Sequence, residues 1–487
     1  MGGLPLVAGT VVSVASWRNK TANENRFMQV DLSPTQTVQK KSGGLLAVVH
    51  GAVVAALGGL LFGFDTAVIS GTMEALKATF HLDAFWLGFT VAIALIGTLV
   101  GSLAIGKPAD VLGRKKVLLI LAALYFVSAV GCAIATSWVT LLLARFIGGL
   151  AIGGASVAAP MYIAEISPSK WRGRLVALSQ LNVVIGILLS YISNYIVAQY
   201  VSFDVAWRWM LGIVAIPSVM FFLLVFKIME SPRWLVRAGR LEEAKAVLTR
   251  LGEPDVEVEL RDIQASLKDL PGHSQDRLFQ ARYAKPIFLA CAVAMFNQLS
   301  GINAVMYYAP KIFNMAGAAQ NSALLQSILI GSVLLFFTVA AMFFIDRFGR
   351  RILILIGSVG MVVSLALVAR EFAKGNGHGS GAIVLAGLIG FIAFFAFSQG
   401  AVIWVFISEI FPNAVRAKGQ ALGSFTHWFM AAVVSWTFPM VAEISGAWPF
   451  GFFGLMMVLQ FFFALKIMPE TKGGKLEDIE QRLSSTT

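Results

Sequence analysis

Charge is scarce in this sequence. Only 13% of its 487 residues are Asp, Glu, Lys or Arg, while 57% are hydrophobic; a soluble domain carries roughly a quarter charged residues. That balance excludes a soluble enzyme. Cysteine is scarcer still: Cys132 and Cys291 are the two present, both inside apolar stretches, so no disulfide framework is expected. No cluster with metal-ligand spacing, no nucleotide-binding glycine loop and no nucleophile elbow occurs. Neither a metal nor another cofactor is therefore expected, and the chain does not read as an enzyme. The formal charge of +12 sits largely in short loops between apolar runs, where it reads as a topology signal rather than a nucleic-acid surface.

What the chain has in abundance is length of apolar helix, and it has it twice. AEISPSKWRGR from Ala164 is echoed 244 residues later by SEIFPNAVRAKG from Ser408. ADVLGRKK, ending at Lys116, is echoed by IDRFGRR, ending at Arg351, and ESPRW from Glu230 by PETKG from Pro469. An internal repeat in so apolar a chain means two homologous membrane halves, an architecture for moving solutes. Hydropathy places spans near 47–72, 86–106, 117–137, 141–164, 174–198 and 207–227, then near 286–310, 323–345, 351–370, 381–408, 418–440 and 448–468. The expected fold is thus all-α, with twelve transmembrane helices in two pseudo-symmetric six-helix bundles. The loops 107–116, 165–174, 346–351 and 409–418 are rich in Lys and Arg, which predicts both termini in the cytoplasm.

The domain plan follows. Residues 1–46 are expected to be a flexible cytoplasmic tail, with a targeting segment as the alternative. The bundles span 47–227 and 286–468, the linker 228–285 carries short cytoplasmic helices, and 469–487 form a cytoplasmic tail. The linker either simply joins the bundles or acts as a latch. In the basic loops, Asp110, Arg114, Glu165, Arg172 and Glu230 recur as Asp346, Arg350, Glu409, Arg416 and Glu470, and Arg233 joins the first set. Ion pairs among them are expected either to gate the cytoplasmic side or to anchor the loops. Gly106 and Gly113 are expected to permit close approach and a tight turn there.

Polar residues inside the spans carry the substrate chemistry. Asp65, in GGLLFGFDTAVISG, is a carboxylate within a membrane helix, costly and by default functional. Arg145, in LLLARFIGG, is its natural partner; a permanent structural pair is the plainer alternative. In the seventh span, FNQLSGINAVMYYAP, Asn297, Gln298, Asn303, Tyr307 and Tyr308 accompany Gly301 and Pro310, which predict a broken helix. Uncharged amides and phenols suit a neutral polyhydroxyl ligand, and Gln180, Trp404, His427 and Trp428 add further amide, imidazole and indole groups.

With these motifs assembled, the chain resembles the sugar porter family of the major facilitator superfamily over residues 47 to about 480, nearly its whole length. FGFDTAVISG, ADVLGRKK, YIAEISPSKWRGR, ESPRWL, QLSGINAVMYYAP, DRFGRR, SEIFPNAVRAKG and PETKGG carry the resemblance in that order. It implies sugar contacts at Gln180, Asn297, Gln298, Asn303, Gly400, Trp404, His427 and Trp428, and an outer gate at Tyr307 and Tyr308. It further implies proton coupling at Asp65 with Arg145, since passive facilitators of the family have a neutral side chain at that place. Asn297 stands where relatives usually carry glutamine, and Leu334 where many have a sugar-contacting asparagine. His427 replaces a glutamine of the bacterial xylose transporter with a group that ordinarily titrates near neutral pH. Lys107 is a milder departure from the usual arginine or glycine.

The implied activity is proton-coupled symport of a monosaccharide such as glucose or xylose into the cell by alternating access, by a protein functional as a monomer in the lipid bilayer of the plasma (inner) membrane. A passive sugar uniporter is the alternative of the same fold. A sugar sensor that does not transport is the alternative of another class.

Overall fold

The computed structural model describes residues 42–268, 278–375, 379–412 and 415–472, the side chains of Ser42, Gly43, Lys268 and Asp346 excepted. The expected amino-terminal tail up to residue 41, and the chain beyond residue 472, lie outside the described residues. Among the described residues all regular structure is helical.

The first half opens with α1 (Ser42–Val68), which passes through a 3-10 turn at Ile69–Thr72 into α2 (Met73–Phe80). There follow α3 (Ala84–Ala104), the short α4 (Gly106–Leu112), α5 (Arg114–Ala133), α6 (Trp138–Ile166), α7 (Ser169–Tyr200), α8 (Phe203–Gly212) and α9 (Ala215–Val225). Local chemistry fixes several ends. Asp83 accepts a hydrogen bond from the Trp86 amide at 2.9 Å and starts α3, and a Ser137–Thr140 capping box starts α6. Three linker helices, α10 (Pro232–Arg237), α11 (Leu241–Leu251) and α12 (Val256–Lys268), enclose a small core of their own around Trp234, Leu248 and Ile263. They sit on the first half: Trp234 Nε1 donates to the Asp110 carbonyl at 2.9 Å, and Arg237 pairs with the Asp110 carboxylate at 2.9 Å.

The second half comprises α13 (Ala284–Leu299), α14 (Ile302–Met315), α15 (Gln320–Phe348), α16 (Arg350–Ala373), α17 (Gly381–Phe397), α18 (Gln399–Glu409), α19 (Arg416–Ile444) and α20 (Ala447–Lys466). Among the described residues, eleven helical stretches are long and apolar enough to cross a membrane. The twelfth is α19, whose 29 residues suffice for a span but include Ser424, Thr426, His427 and Ser435. Its lower hydropathy thus reflects polar side chains, among them the central His427 described below.

The seventh span breaks as its sequence predicts, at Gly301, whose φ of +85° favours glycine. A second irregularity follows at Tyr308, with φ −114° and ψ 16°, two residues before Pro310. Proline has no N–H to return to the carbonyl four residues earlier. That carbonyl, on Met306, instead accepts a 2.7 Å hydrogen bond from Tyr191 of α7, in the other half. The tenth span breaks between α17 and α18 at Ser398, with φ −115° and ψ −87°.

Glycine brings the halves together at the end remote from the basic loops. A Cβ on Gly88 of α3 would fall on the Trp436 carbonyl of α19, while Trp436 Nε1 donates to the Phe85 carbonyl at 3.2 Å. Lys77 pairs with Glu443 at 3.2 Å at the same end. The described hydrogen bonds between the halves all lie in this region, so the molecule is closed at the end opposite its basic loops.

Candidate functional site

Where the seventh and eleventh spans meet, α13, α14 and α19 bring amides against imidazole and indole. Gln298 is 1% exposed. Its Oε1 accepts from Asn303 Nδ2 at 2.9 Å, and its Nε2 donates to Asn297 Oδ1 at 3.1 Å. The same Nε2 lies 3.2 and 3.1 Å from the two ring nitrogens of His427. Near-equal distances to both nitrogens place the amide over the face of the imidazole, not in its plane. The in-plane N–H and lone pair of His427 therefore stay available to another partner. Trp404 and Trp428 flank His427, each with ring centroids 4.9 Å away, and Phe62 of the first half stands 5.6 Å from Trp428. Trp404 is 37% exposed, and Gly400 lies one turn earlier on α18, against Phe395.

Gln180 stands apart from this cluster. It is exposed on α7, eleven residues before Tyr191. Three helical turns bring it back to the face that Tyr191 presents to the second half, about 16 Å along the axis. It thus lies on the face of α7 that turns toward the second half. Asn297 is 3% exposed and also borders a second cavity, with Gln399 and Gln460, inside the second half. Its role there includes packing as well as whatever it offers the cleft. Leu334 is buried and offers no hydrogen bond to the site. Tyr307 and Tyr308 are both buried, but only Tyr308 is tied by a described hydrogen bond, to the Ser435 carbonyl at 2.9 Å.

Asp65 and Arg145 do meet. Arg145 Nη1 lies 3.1 Å from each carboxylate oxygen, and the side chains are 6% and 2% exposed. The buried Ser128 hydroxyl borders Gly148 together with Asp65 Oδ2, so α5 also backs the pair.

The basic loops display the sequence repeat as geometry. Arg114 reaches Glu165 at 2.9 Å, and Arg350 reaches Glu409 at 2.9 Å. Gly113 and Gly349 turn with φ +92° and +91°, and a side chain on either would run into Glu230 or Glu470. These two glutamates differ from the expected ion-pair partners in what they hold. Glu230 accepts from the backbone amides of Arg114 and Lys115, and Glu470 from those of Arg350 and Arg351, which makes them caps for helix N-termini. Gly106 has nothing near it, so the tight turn rests on Gly113 alone. Arg172 and Arg416 reach no described carboxylate; Arg416 Nε donates to the Phe411 carbonyl at 3.3 Å, and Arg172 Nε is buried without a partner. Arg233 is exposed. The Asp346 side chain lies outside the described residues.

Burial raises the pKa of Glu230, opposed by the amides it caps. A raised folded-state value favours the fold below the unfolded carboxylate range and withdraws that advantage as pH rises through the folded value. Accordingly, thermal unfolding of the native chain and Glu230→Gln should show native stability improving relative to the variant as pH falls from neutral toward that range. A difference constant with pH would contradict this.

Sequence reasoning missed three features. Tyr191 crosses the halves, and only the proline in a distant segment signals that its acceptor is vacant. Gln399 donates to Gln460 at 2.6 Å inside the second half; two amides in apolar spans were a readable sign. The Tyr125 and Ser128 hydroxyls, both buried without partners behind Asp65, were not separable from ordinary core residues.

Comparison with known proteins gives a consistent picture. Residues 51–483 match the family described as "Sugar (and other) transporter". The arabinose-proton symporter of Bacillus subtilis is 39% identical, over 88% of this chain and 93% of the relative. The inward-open conformation of the xylose transporter XylE from E. coli superposes with a TM-score of 0.79 at 35% identity, covering 88% of this chain and 98% of that one. The XylE structure bound to 6-bromo-6-deoxy-D-glucose, titled a proton:xylose symporter, gives 0.73 at 36% identity over 90% and 99%.

Proposed function

From a chain that belongs to the sugar porter family of the major facilitator superfamily, a multi-pass membrane protein in a family of transporters, we propose a proton-coupled symporter that carries a neutral monosaccharide into the cell by alternating access. The observation that carries this reading is the buried Asp65–Arg145 pair in the first half, beside a neutral cluster of amides and aromatic rings in the second.

The chemistry divides accordingly. Gln298, Asn303 and Asn297 satisfy one another and exchange those bonds for sugar hydroxyls when substrate enters, at small enthalpic cost. His427 adds a donor or an acceptor in its ring plane. Trp404 and Trp428 present faces to C–H surfaces, Gly400 leaves room beside them, and Gln180 reads the sugar from the opposite wall. A proton on Asp65 cancels the charge that holds Arg145, so the pair loosens where the outer path is open and re-forms after release inside. Tyr307 and Tyr308 close the outer path as α14 moves inward. At the basic end, which we assign to the cytoplasm and the plasma (inner) membrane, Arg114–Glu165 and Arg350–Glu409 keep each bundle rigid. Arg172 and Arg416 supply guanidinium groups for contacts made when that end shuts.

Uptake of labelled xylose, arabinose, glucose and galactose into liposomes, with and without an inward proton gradient, tests the reading. At least one sugar should accumulate above equilibrium only with the gradient; equilibration at the same final level in both conditions would make the protein a uniporter. In the same assay, Gln298→Ala should weaken apparent affinity for that sugar by about 10- to 100-fold, the cost of one or two lost hydrogen bonds with partners left unpaired. Unchanged affinity would remove Gln298 from the site.

A further inference from the structure

A small cavity is lined in part by Arg145, and Asp65 is not among its lining residues. Its wall comes from α1, the turn after it, α3 and α6, with Thr66 and Thr98 as further polar members. All of these belong to the first half. One lining residue belongs to the second: Tyr307 of α14. Arg145 Nε is buried without a hydrogen-bond partner. Four residues before Tyr307, on the same helix and hence the same face, stands Asn303, which donates to Gln298 in the amide cluster. A single helical turn therefore joins the sugar cluster to the pocket of the ion pair.

Resting on the symport reading above, we propose that Tyr307 is a positioning residue for proton coupling, whose hydroxyl accepts a hydrogen bond from Arg145 when a proton occupies Asp65. The physical need is clear. A buried guanidinium deprived of its carboxylate is costly unless another acceptor replaces it. A phenol oxygen supplies one without a competing charge. Because Tyr307 rides on α14 with Asn303, the acceptor is in place only when α14 is drawn in, which is the arrangement that bound sugar favours. Proton and sugar then prefer the same state, and each tightens the binding of the other. This task is additional to closing the outer path.

Several charged and titratable groups lie around Asp65. Arg145 from α6 pairs with Asp65, while Tyr125 and Cys132 from α5 and Tyr307 from α14 lie within reach of its charge. His427 of α19 is the titratable group at the amide cluster itself, so the test is run in a His427→Gln background to remove its share.

The experiment measures sugar affinity from tryptophan fluorescence between pH 6 and 8, using whichever of the four sugars the uptake panel selects, together with sugar exchange in liposomes. With Tyr307 present, affinity should tighten at least fivefold toward pH 6, the lower end of usual coupling factors. With Tyr307→Phe, which keeps the ring and removes the hydroxyl, affinity should vary less than twofold while exchange persists. A Tyr307→Phe protein that keeps the full pH dependence overturns the proposal alone, as does one that loses sugar binding at every pH, since Tyr307 would then be a sugar contact. Affinity independent of pH in the native chain as well would sink the symport reading and this inference with it.

Discussion

Replacing Asp65 with asparagine should abolish concentrative sugar uptake while leaving sugar exchange in place. One proton per sugar across a gradient of one pH unit is worth about 1.4 kcal/mol and supports accumulation of about tenfold. Asp65→Asn retains a carbonyl oxygen that can accept from Arg145 Nη1, now 3.1 Å from both carboxylate oxygens, but it cannot take up a proton. Accumulation should therefore fall to the equilibrium level under any gradient. Counterflow of labelled sugar, which needs only the binding cluster and the movement of the halves, should persist within a few-fold. Loss of exchange together with accumulation would mean that the pair holds the fold rather than the coupling. Breaking a buried pair costs about 3–5 kcal/mol when one partner is simply removed, so thermal stability of the variant separates the two outcomes. Accumulation unaffected by the substitution would take Asp65 out of the mechanism altogether.

Replacing Gly88 with leucine should stop transport by another route. A Cβ on Gly88 would clash with the Trp436 carbonyl of α19, part of the backbone rather than a side chain free to swing aside. Closure of the halves at that end is thus incompatible with a larger residue. A penalty of about 2.7 kcal/mol depletes the closed state a hundredfold, and a clash with backbone reaches that readily. Transport should drop at least a hundredfold, while sugar binding from the open side stays within about threefold of native. Gly451 of α20 has nothing near its Cβ position, and Gly451→Leu should transport normally. Comparable transport by Gly88→Leu would show that this contact is not required in the cycle.

These expectations draw unequally on sequence and structure. The Asp65–Arg145 pair was legible because charge in an apolar span has few reasons to exist, and the two residues found each other as that argument predicts. The repeat was legible too: Arg114–Glu165 and Arg350–Glu409 take equal distances in the two halves. The capping by Glu230 and Glu470 was not, since a carboxylate near arginines reads as an ion-pair partner until backbone amides are seen in place. Proline in the seventh span announced a break, but which side chain would answer the orphaned Met306 carbonyl depended on the packing of α7 across the interface. Gln298, Asn303 and His427 were recognisable as a polar group, whereas the placement of the Gln298 amide over the imidazole face is a matter of helix crossing that no spacing encodes. Asn297 shows the same limit, since its residue type does not reveal that it also borders the cavity of Gln399 and Gln460.

In the proposed symport, sugar entry and proton entry are one event. The direct measurement is the external pH of a weakly buffered suspension of liposomes containing the native protein, recorded as each of the four sugars is added without any imposed gradient. Alkalinisation outside is expected with at least one sugar, abolished by a protonophore and absent from protein-free liposomes. Entry of labelled sugar with no change in external pH would contradict it.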